Sequence, residues 1–392
     1  MADIVILAAC RTPIGSFQGG LSSVPAPRLG AVALKGALTR AGVDANDVTD
    51  VLMGNVLQAG LGQAPARQAA LAAGCPASSR AVTIHKVCGS GLQAIMQGAH
   101  QLQCGFGLIV LAGGMENMSA APYLLPKARD GFRLGHQQVI DSMIQDGLWD
   151  PYNNLHMGSY AEQCAKKYAF TRDQQDAYAV TSFQRANAAQ KEGRFAQEIA
   201  PVELTDAKGN VTKVEHDEGP AKVRYDKIPA LKPSFQKDGT ITPANASSIS
   251  DGAAAIVLVA AETARTKGLK AVARLVAFGS HAQDPVWFTT APVKAAQNAL
   301  SAAGWTVNDV DLWEVNEAFA VVPMAFMREL GVPHDRLNVR GGAISLGHPI
   351  GASGARIVVT LLAALRERGL RRGVAAVCIG GGEGLAACVE LA

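Results

Sequence analysis

The sequence ALTRAGVDANDV, which spans residues 37–48, returns in the second part of the chain as ALSAAGWTVNDV at residues 299–310. Both copies keep an Ala-Leu pair, an Ala-Gly pair and an Asn-Asp-Val triplet at the same spacing. Each copy runs into an apolar segment that ends near an asparagine, Asn55 in the first and Asn316 in the second. An internal repeat of this kind predicts that the chain contains the same structural unit twice.

A second pattern is also shared: a turn rich in glycine and serine, an amphipathic helix, and an apolar strand closed by glycines. The turn is Gly89-Ser90-Gly91 in the first copy and Ala352-Ser353-Gly354 in the second. Apolar residues recur after both turns at the spacing of one helix face. The runs at 108–112 and 374–379 are continuous and apolar, as in strands that are covered on both faces. Strands alternating with helices predict a mainly parallel sheet and a duplicated α/β domain.

The chain between the two copies has a different composition. All six tyrosines lie between residues 119 and 248, together with a long polar helical pattern at 172–195. We interpret this stretch as an insertion carried by the first half, and we expect the apolar run at 251–260 to return to the first sheet. The predicted domains are a first half of residues 1–118 plus 249–270, an inserted loop domain of residues 119–248, and a second half of residues 271–392.

Composition excludes several classes of protein. With 392 residues the chain exceeds what one hydrophobic core usually accommodates, so two or more domains are expected. Its 48% hydrophobic and 18% charged residues exclude a disordered or fibrous chain. The 36 basic and 33 acidic residues give a net charge of +3, which does not indicate a nucleic-acid or membrane-surface protein. No run approaches the roughly 18 apolar residues of a membrane helix.

The cysteines indicate a reducing compartment. The chain has seven, an odd number without CxxC pairs, which favours neither a disulfide framework nor a zinc site. The chain enters an apolar run at residue 4 with no basic segment before it, so we expect no cleaved signal peptide. The predicted location is the cytoplasm, and no metal site is predicted.

Cys88 is the first candidate for chemistry. It follows an apolar-leaning segment and precedes the Gly-Ser-Gly turn that opens a helix. Unpaired N–H groups and the positive end of the helix dipole lower the pKa of a thiol in that place, so we expect a nucleophilic thiolate. The alternative is a small buried apolar residue, the usual environment of a cysteine.

His348 is the second candidate, in the glycine-rich sequence GGAISLGHPIG at residues 341–351. A histidine held between such turns is a suitable general base, although many loop histidines have no such role. Its turn corresponds to that of Cys88 in the other half. If the halves pack with pseudo-twofold symmetry, the two side chains meet at the centre.

Cys378 and Asn316 both follow apolar strands, at the end where parallel sheets bind ligands. Cys378 leads into a glycine run that either turns the chain or exposes N–H donors to an oxyanion. The amide of Asn316 can hold a water or a carbonyl, or it can cap a helix. The glycine runs do not form a dinucleotide-binding fingerprint. His156 is undecided on spacing alone, and the other histidines show no metal-ligand spacing.

Taken together, these segments resemble the thiolase family over essentially the full length. Four motifs carry the resemblance: VCGSG at 87–91, NEAF at 316–319, GHPIG at 347–351 and CIGGG at 378–382. The resemblance implies a thiolase-like duplicated five-layered αβαβα fold with an inserted loop domain that contributes to CoA binding and tetramerisation. It also implies a homotetramer built as a dimer of dimers.

Within the family, the resemblance is to the biosynthetic branch that condenses two acetyl-CoA reversibly to acetoacetyl-CoA and CoA. It implies that Cys88 is the nucleophile and that His348 activates it. It implies further that Cys378 moves the proton of the second acetyl-CoA, that Asn316 holds a water, and that the Gly380 N–H binds an oxyanion. Coenzyme A thioesters are then substrates, and no tightly bound cofactor is implied.

Contacts with the substrate are carried over to residues that match family positions along the pantetheine and acyl tunnel. These residues are Leu148, His156, Met157, Ser247, Ala318 and Phe319. The His156-Met157 pair is typical of the short-chain branch. The basic side chains of Lys222, Arg224 and Lys227 are candidates for the CoA phosphates, the alternative being a solvated surface.

The sequence departs from the family pattern at several positions. His85 stands where asparagine is usual, which puts hydrogen bonding under the nucleophilic loop in doubt. Pro243 and Ser248 replace smaller or more flexible residues of the CoA-binding loop. Pro220 stands where potassium-activated members carry a tyrosine, and no potassium site is predicted.

Three other functions compete with this interpretation. A degradative 3-ketoacyl-CoA thiolase of broader chain length shares the catalytic residues. A carrier-protein-dependent ketoacyl synthase shares the fold but lacks a second cysteine like Cys378. A non-catalytic acyl-CoA-binding protein is the third, and the presence of both Cys88 and His348 argues against it.

Overall fold

A computed structural model describes residues 2–392. The strands, in chain order, are β1 (Ile4–Arg11), β2 (Gly15–Ser16), β3 (Asp50–Gly54), β4 (Arg80–Ile84), β5 (Ile109–Asn117), β6 (Tyr123–Leu124), β7 (Ile140–Asp141), β8 (Trp149–Asp150), β9 (Leu155–His156), β10 (Val202–Thr205), β11 (Val211–Val214), β12 (Ser250–Ala260), β13 (Ala273–Ala282), β14 (Leu312–Val315), β15 (Arg372–Ile379) and β16 (Glu383–Leu391). The α-helices are α1 (Ala26–Ala41), α2 (Pro65–Ala72), α3 (Ser90–Gln103), α4 (Met157–Tyr168), α5 (Arg172–Lys191), α6 (Ala261–Thr266), α7 (Ala291–Ala303), α8 (Val321–Leu330), α9 (Ala343–Leu346) and α10 (Ile350–Arg368).

The main sheet shows the duplication directly. Its strand order is β14-β15-β16-β13-β1-β12-β5-β3-β4, with β2 paired to β12. Outward from the centre, the first half runs β1-β12-β5-β3 and the second runs β13-β16-β15-β14, so corresponding strands occupy corresponding places. The halves join where residues 4–6 of β1 pair antiparallel with residues 273–275 of β13. The predicted duplication is confirmed.

The prediction of a mainly parallel sheet was wrong. Parallel pairing is found for β3 with β4 and β5 and for β14 with β15. The pairings of β1, β2, β12, β13 and β16 are antiparallel. The connection from β15 to β16 is residues 380–382 alone, and a connection this short joins only antiparallel neighbours, because a parallel crossover needs a dozen or more residues.

The helices cover the sheet in layers. Helices α1 and α2 pack on one face of the first half, and α7 and α8 cover the second. Helices α3 and α10 pack against each other and against strands of both halves, and their apolar residues form one central core. The chain therefore has the five-layered αβαβα arrangement.

The central helices meet at glycines. A Cβ atom on Gly91 of α3 would lie 2.8 Å from the backbone nitrogen of Ala355. A Cβ atom on Gly354 of α10 would lie 2.5 Å from the backbone nitrogen of Leu92. The two contacts are reciprocal, each glycine facing the residue that follows the other, as a pseudo-twofold axis requires. This approach brings together the loops that precede the two helices.

The segment between β5 and β12 carries α4, α5 and the strands from β6 to β11, which pair as small hairpins. Strand β12 then returns to the main sheet between β1 and β5, which confirms the expected return of residues 251–260. The domain boundaries at 118, 248 and 270 stay predictions. Among the described helices, none has the length and apolar character needed to cross a bilayer.

Candidate active site

The loop that carries Cys88 connects β4 to α3. Its conformation is held by Ser90, whose hydroxyl accepts the N–H of Lys86 at 2.8 Å and donates to the carbonyl of Val87 at 2.7 Å. Val87 has φ of +45°, a conformation that is costly for a β-branched residue and is found mainly where the surroundings impose it. The departure at His85 has a visible effect: this exposed side chain accepts the N–H of Val87 through Nδ1, at 3.4 Å.

The loop that carries His348 connects α9 to α10. Gly347 has φ of +116° and lies so close to Ser250 that a Cβ atom would be 2.3 Å from its hydroxyl oxygen, so the turn requires glycine. The backbone N–H of His348 donates to the carbonyl of Ser248. Its Nδ1 lies 2.6 Å from the hydroxyl oxygen of Ser353, and its Nε2 has no hydrogen-bond partner within residues 2–392.

Asn316 directly follows β14, and Cys378 is the penultimate residue of the neighbouring parallel strand β15. Both are fully buried. The amide nitrogen and oxygen of Asn316 make no hydrogen bond within the described chain, and α8 begins at Val321, so Asn316 does not cap that helix. Buried polar atoms are rarely left unpaired, so this amide is a candidate to bind a ligand or a water.

One cavity of about 220 Å³ unites most of the predicted site. The predicted residues that line it are Cys88, Leu148, His156, Met157, Ser247, Ala318, Phe319, His348 and Gly380. Asn316 and Cys378 do not line it. Cys378 is fully buried and lies near Cys88: burial raises the pKa of Cys378, and ionisation of the Cys88 thiol would raise it further.

Other residues of the wall were not predicted. They are Val87, Met118, Gly147, Phe235, Ala246, Ile249, Phe288 and Ile350; Ser248, which was expected in the CoA-binding loop, also lines the cavity. Val87, Gly147 and Ala246 directly flank predicted residues, so adjacency was an available signal. Phe235 stacks on His156 with ring centroids 4.7 Å apart, but it lies in a loop without any periodic pattern that would indicate burial.

The thiol of Cys88 is neutral, and the expectation of a lowered pKa was wrong. Burial raises the pKa of Cys88 to about 12, and the charge of Glu116 acts in the same direction. The N–H of Gly380 lies against the sulfur and opposes this shift, as does the N–H of Cys88 itself. Withdrawal from water in an apolar cavity thus outweighs the dipole of α3, because a thiolate loses far more hydration than the helix end restores.

The imidazole of His348 is neutral as well. Burial, with the positive charge of Arg356 acting in the same direction, lowers its pKa to about 3. Arg356 is itself buried and paired with Glu314, Nη1 to Oε1 at 2.7 Å. A neutral imidazole with a free Nε2 is a proton acceptor at physiological pH, so the site offers an uncharged thiol beside an uncharged base.

Glu116 joins the segment that follows β3 to the first turn of α10, and it was not anticipated from sequence. Its buried carboxylate accepts the side-chain N–H of Asn55 at 2.7 Å and the backbone N–H of Gly351 in α10 at 2.9 Å. It also accepts the backbone N–H groups of Val56 and Leu57. Burial raises its pKa to about 7. Its neighbour Met115, and not Glu116 itself, is the counterpart of Cys378: the repeat aligns Met53 with Val315, Met53 pairs with Gly113, and Val315 pairs with Ala376.

A second cavity of about 310 Å³ adjoins the first. Lys222, Arg224 and Lys227 line it, together with Pro243. Ser248 lines both cavities, so an apolar chamber and a basic one share a wall. This combination suits a ligand with a short apolar end and an anionic end.

Comparison with known families covers nearly the whole chain. A family model described as the thiolase N-terminal domain matches residues 4–262. A model described as the thiolase C-terminal domain matches residues 269–391.

Individual relatives agree with these models. The acetyl-CoA acetyltransferase of Pseudomonas aeruginosa is 50% identical over 387 residues, which cover 98% of each chain. Acetyl-CoA acetyltransferase 2 of Arabidopsis thaliana is 51% identical over 391 residues, covering 99% of this chain and 97% of the relative. The crystal structure of the Bacillus anthracis acetyl-CoA acetyltransferase has a TM-score of 0.97 at 40% identity and covers 100% of this chain and 99% of that one. The chain belongs to the thiolase family.

Proposed function

We propose that the protein is an acetyl-CoA C-acetyltransferase that interconverts two acetyl-CoA with acetoacetyl-CoA and CoA through an acetylated cysteine. The observation that carries the proposal is the cavity in which a neutral Cys88 and a neutral His348 meet, with Cys378 beside Cys88. Full-length similarity to proteins named acetyl-CoA acetyltransferase favours this reaction over the broader-chain degradative thiolase.

In the first half-reaction, Nε2 of His348 accepts the thiol proton as the sulfur of Cys88 attacks the thioester carbonyl. The sulfur–carbon bond to CoA breaks, and the imidazolium returns its proton to the leaving CoA sulfur. The backbone N–H groups of Cys88 and Gly380 are assigned to the acyl oxygen, because both lie against the Cys88 sulfur. Such donors lower the barrier by stabilising charge where it develops.

In the second half-reaction, Cys378 as a thiolate removes a proton from C2 of another acetyl-CoA. The carbanion attacks the acetyl group, and Cys378 returns the proton to the released sulfur of Cys88. Burial is the largest of the causes that raise the pKa of Cys378 well above its ordinary value. Asn316 is assigned to hold the water that, with His348, binds the thioester oxygen.

The two adjoining cavities support the substrate assignment. The apolar chamber, with Met157, Ala318 and Phe319 on its wall, takes the acetyl group and the pantetheine arm. Lys222 and Arg224 in the second cavity face the phosphates of CoA. CoA thioesters enter and leave as substrates, so CoA is not a resident cofactor.

The test is an intact-mass measurement after incubation with acetyl-CoA. Cys88→Ala is expected to gain no acetyl group, because the nucleophile is absent. Cys378→Ala is expected to gain one acetyl group but to form no acetoacetyl-CoA, because the second half-reaction lacks its base. Peptide mapping locates the adduct.

Acetylation of the Cys88→Ala variant, or normal condensation by the Cys378→Ala variant, would contradict these roles. Faster thiolysis of long 3-oxoacyl-CoAs than of acetoacetyl-CoA by the wild-type protein would favour the degradative alternative.

We also propose a cytoplasmic homotetramer. The insertion carries large apolar side chains that the monomer leaves exposed to water: Leu134 is 95% exposed, Val139 57% and Leu125 54%. Exposed apolar groups clustered in one segment are typical of an interaction surface. The free cysteines of the described chain are consistent with a reducing compartment.

A further inference from the structure

The hydroxyl of Ser353 lies between two partners. One is Nδ1 of His348, at 2.6 Å, and the other is the carbonyl oxygen of Pro349, at 3.0 Å. The other ring nitrogen of His348 has no protein partner in the described chain. A neutral imidazole carries one hydrogen, so it accepts a proton at Nε2 only if that hydrogen is on Nδ1.

The equivalent serine of the first half shows what such a hydroxyl does without a histidine partner. Ser90 occupies the place of Ser353 in the repeated turn. Its oxygen accepts the backbone N–H of Lys86, four residues earlier, at 2.8 Å, and its hydrogen goes to the carbonyl of Val87 at 2.7 Å. The acceptor capacity of this serine is therefore used by the backbone.

Proline changes this arrangement in the second half. The residue four positions before Ser353 is Pro349, which has no N–H to donate. The oxygen of Ser353 is then free to accept from His348. Since a hydroxyl has a single hydrogen, both contacts of Ser353 are satisfied only when it donates to the Pro349 carbonyl and accepts the hydrogen of Nδ1.

We propose that Ser353 is a positioning residue that holds His348 in the tautomer with hydrogen on Nδ1, and that Pro349 makes this possible by withholding a competing backbone N–H. The proposal deepens the proposed function and rests on its assignment of His348 as the base at Nε2. Because the enclosed site and nearby Arg356 keep the imidazole neutral, its tautomer decides whether Nε2 is an acceptor.

The direct test is nitrogen NMR of the full-length protein with ¹⁵N-labelled histidine. The signals of His348 are those lost in His348→Ala. In the wild type, Nδ1 is expected to show the shift of a protonated nitrogen and Nε2 that of a bare one. In Ser353→Ala the two shifts are expected to move toward each other, because both tautomers become populated. A wild-type Nε2 that carries the hydrogen would overturn the proposal.

Kinetics provide an independent measurement. Ser353→Ala is expected to lower kcat and the rate of Cys88 acetylation about 10- to 100-fold, a part of what a general base contributes, with KM for acetyl-CoA little changed. Pro349→Ala keeps the hydroxyl but restores a competing N–H, and it is expected to lower the same rate with the same tautomer change. Thr360→Val is the matched control, since it removes another buried hydroxyl of α10, one that bonds Glu198.

The outcomes separate this proposal from the proposed function. If His348→Ala acetylates Cys88 at the wild-type rate, the assignment of the base fails. If that variant is slow while Ser353→Ala and Pro349→Ala both acetylate as the wild type does, the base stands and the role of Ser353 is rejected. Equal loss in Thr360→Val would also reject it, because the effect would then follow from the loss of any buried hydroxyl in the helix.

Discussion

Cys88 and His348 form an uncharged pair rather than a thiolate and an imidazolium. Burial is the main cause for both, since it raises the pKa of Cys88 to about 12 and lowers that of His348 to about 3. An ion pair in this apolar cavity would cost the hydration of two charges. In the proposed reaction, the proton of Cys88 therefore moves during the attack on the thioester and not before it.

The neutral pair of Cys88 and His348 predicts that the rate of Cys88 alkylation depends only weakly on pH. Alkylation of Cys88 by iodoacetamide, followed by peptide mass spectrometry, is expected to be nearly constant from about pH 5 to 8, because His348 stays an acceptor until its pKa of about 3. The exposed Cys104 is the internal control. Its alkylation is expected to rise steeply with pH, as for an ordinary surface thiol. A loss of Cys88 reactivity below pH 6.5 would show that His348 titrates normally.

The same shift links pH to stability. The unfolded chain protonates His348 near its ordinary value of 6.5, whereas the folded chain does so only near 3. Between these values the unfolded state binds the extra proton, so this residue's contribution to stability is lost as the pH falls through the window.

At the scale of single residues, glycine-rich motifs marked Cys88, His348 and Cys378 as candidates in the sequence, and the structure places Cys88 and His348 on the wall of one cavity. The sequence did not indicate the protonation state of Cys88, since the position at a helix start is visible in sequence while the apolar wall is not. Phe235 reaches that wall from a loop and Phe288 from the short 3-10 helix Pro285–Thr290, both far from Cys88 in the chain. The proposed role of Ser353 could have been considered from the sequence, because the repeat aligns Ser353 with Ser90.

Among the secondary-structure elements, the contact of α3 with α10 is the one that builds the site. Their N-terminal turns approach so closely that backbone fills the space where side chains would be. The loops of Cys88 and His348 are fixed relative to each other by this contact.

Gly354→Ala tests the contact. Its Cβ atom would lie 2.5 Å from the backbone nitrogen of Leu92, so α3 and α10 must separate. We expect the free energy of unfolding in urea to fall by about 2–3 kcal/mol, the upper range for overpacking, with a loss of acetylation of Cys88. Gly252→Ala is the matched control, since its Cβ atom would meet its neighbours at an ordinary 3.5 Å or more. Equal unfolding free energies of the two variants would show that α3 and α10 can separate without loss of stability.

The helices and strands themselves were largely predictable, but strand direction was not. Apolar spacing identified α3, α10 and the strands β5, β12 and β15, because burial imposes a period on the sequence. Pairing direction depends on the connections, and the insertion hides the fact that β12 returns as the antiparallel neighbour of β5.

For the whole molecule, the assembly is the main prediction. If residues around Leu134 join dimers into a tetramer, Phe132→Ser combined with Leu134→Ser is expected to sediment as a dimer at concentrations where the wild type sediments as a tetramer. The fold should be unaffected, because both side chains are already exposed. Val211→Ser, at an exposed apolar position outside this segment, is the control. A wild-type protein that sediments as a monomer would contradict the assembly.

The equivalence of Met115 and Cys378 has a consequence for how such a site can arise. Two separate, identical subunits meeting on a true twofold axis would carry the same group at both positions, two thioethers or two thiols. A covalently joined pair is free of that constraint. One half can then keep an inert side chain for packing while the other carries a reactive group at the same position, so that an asymmetric site is built on a symmetric framework.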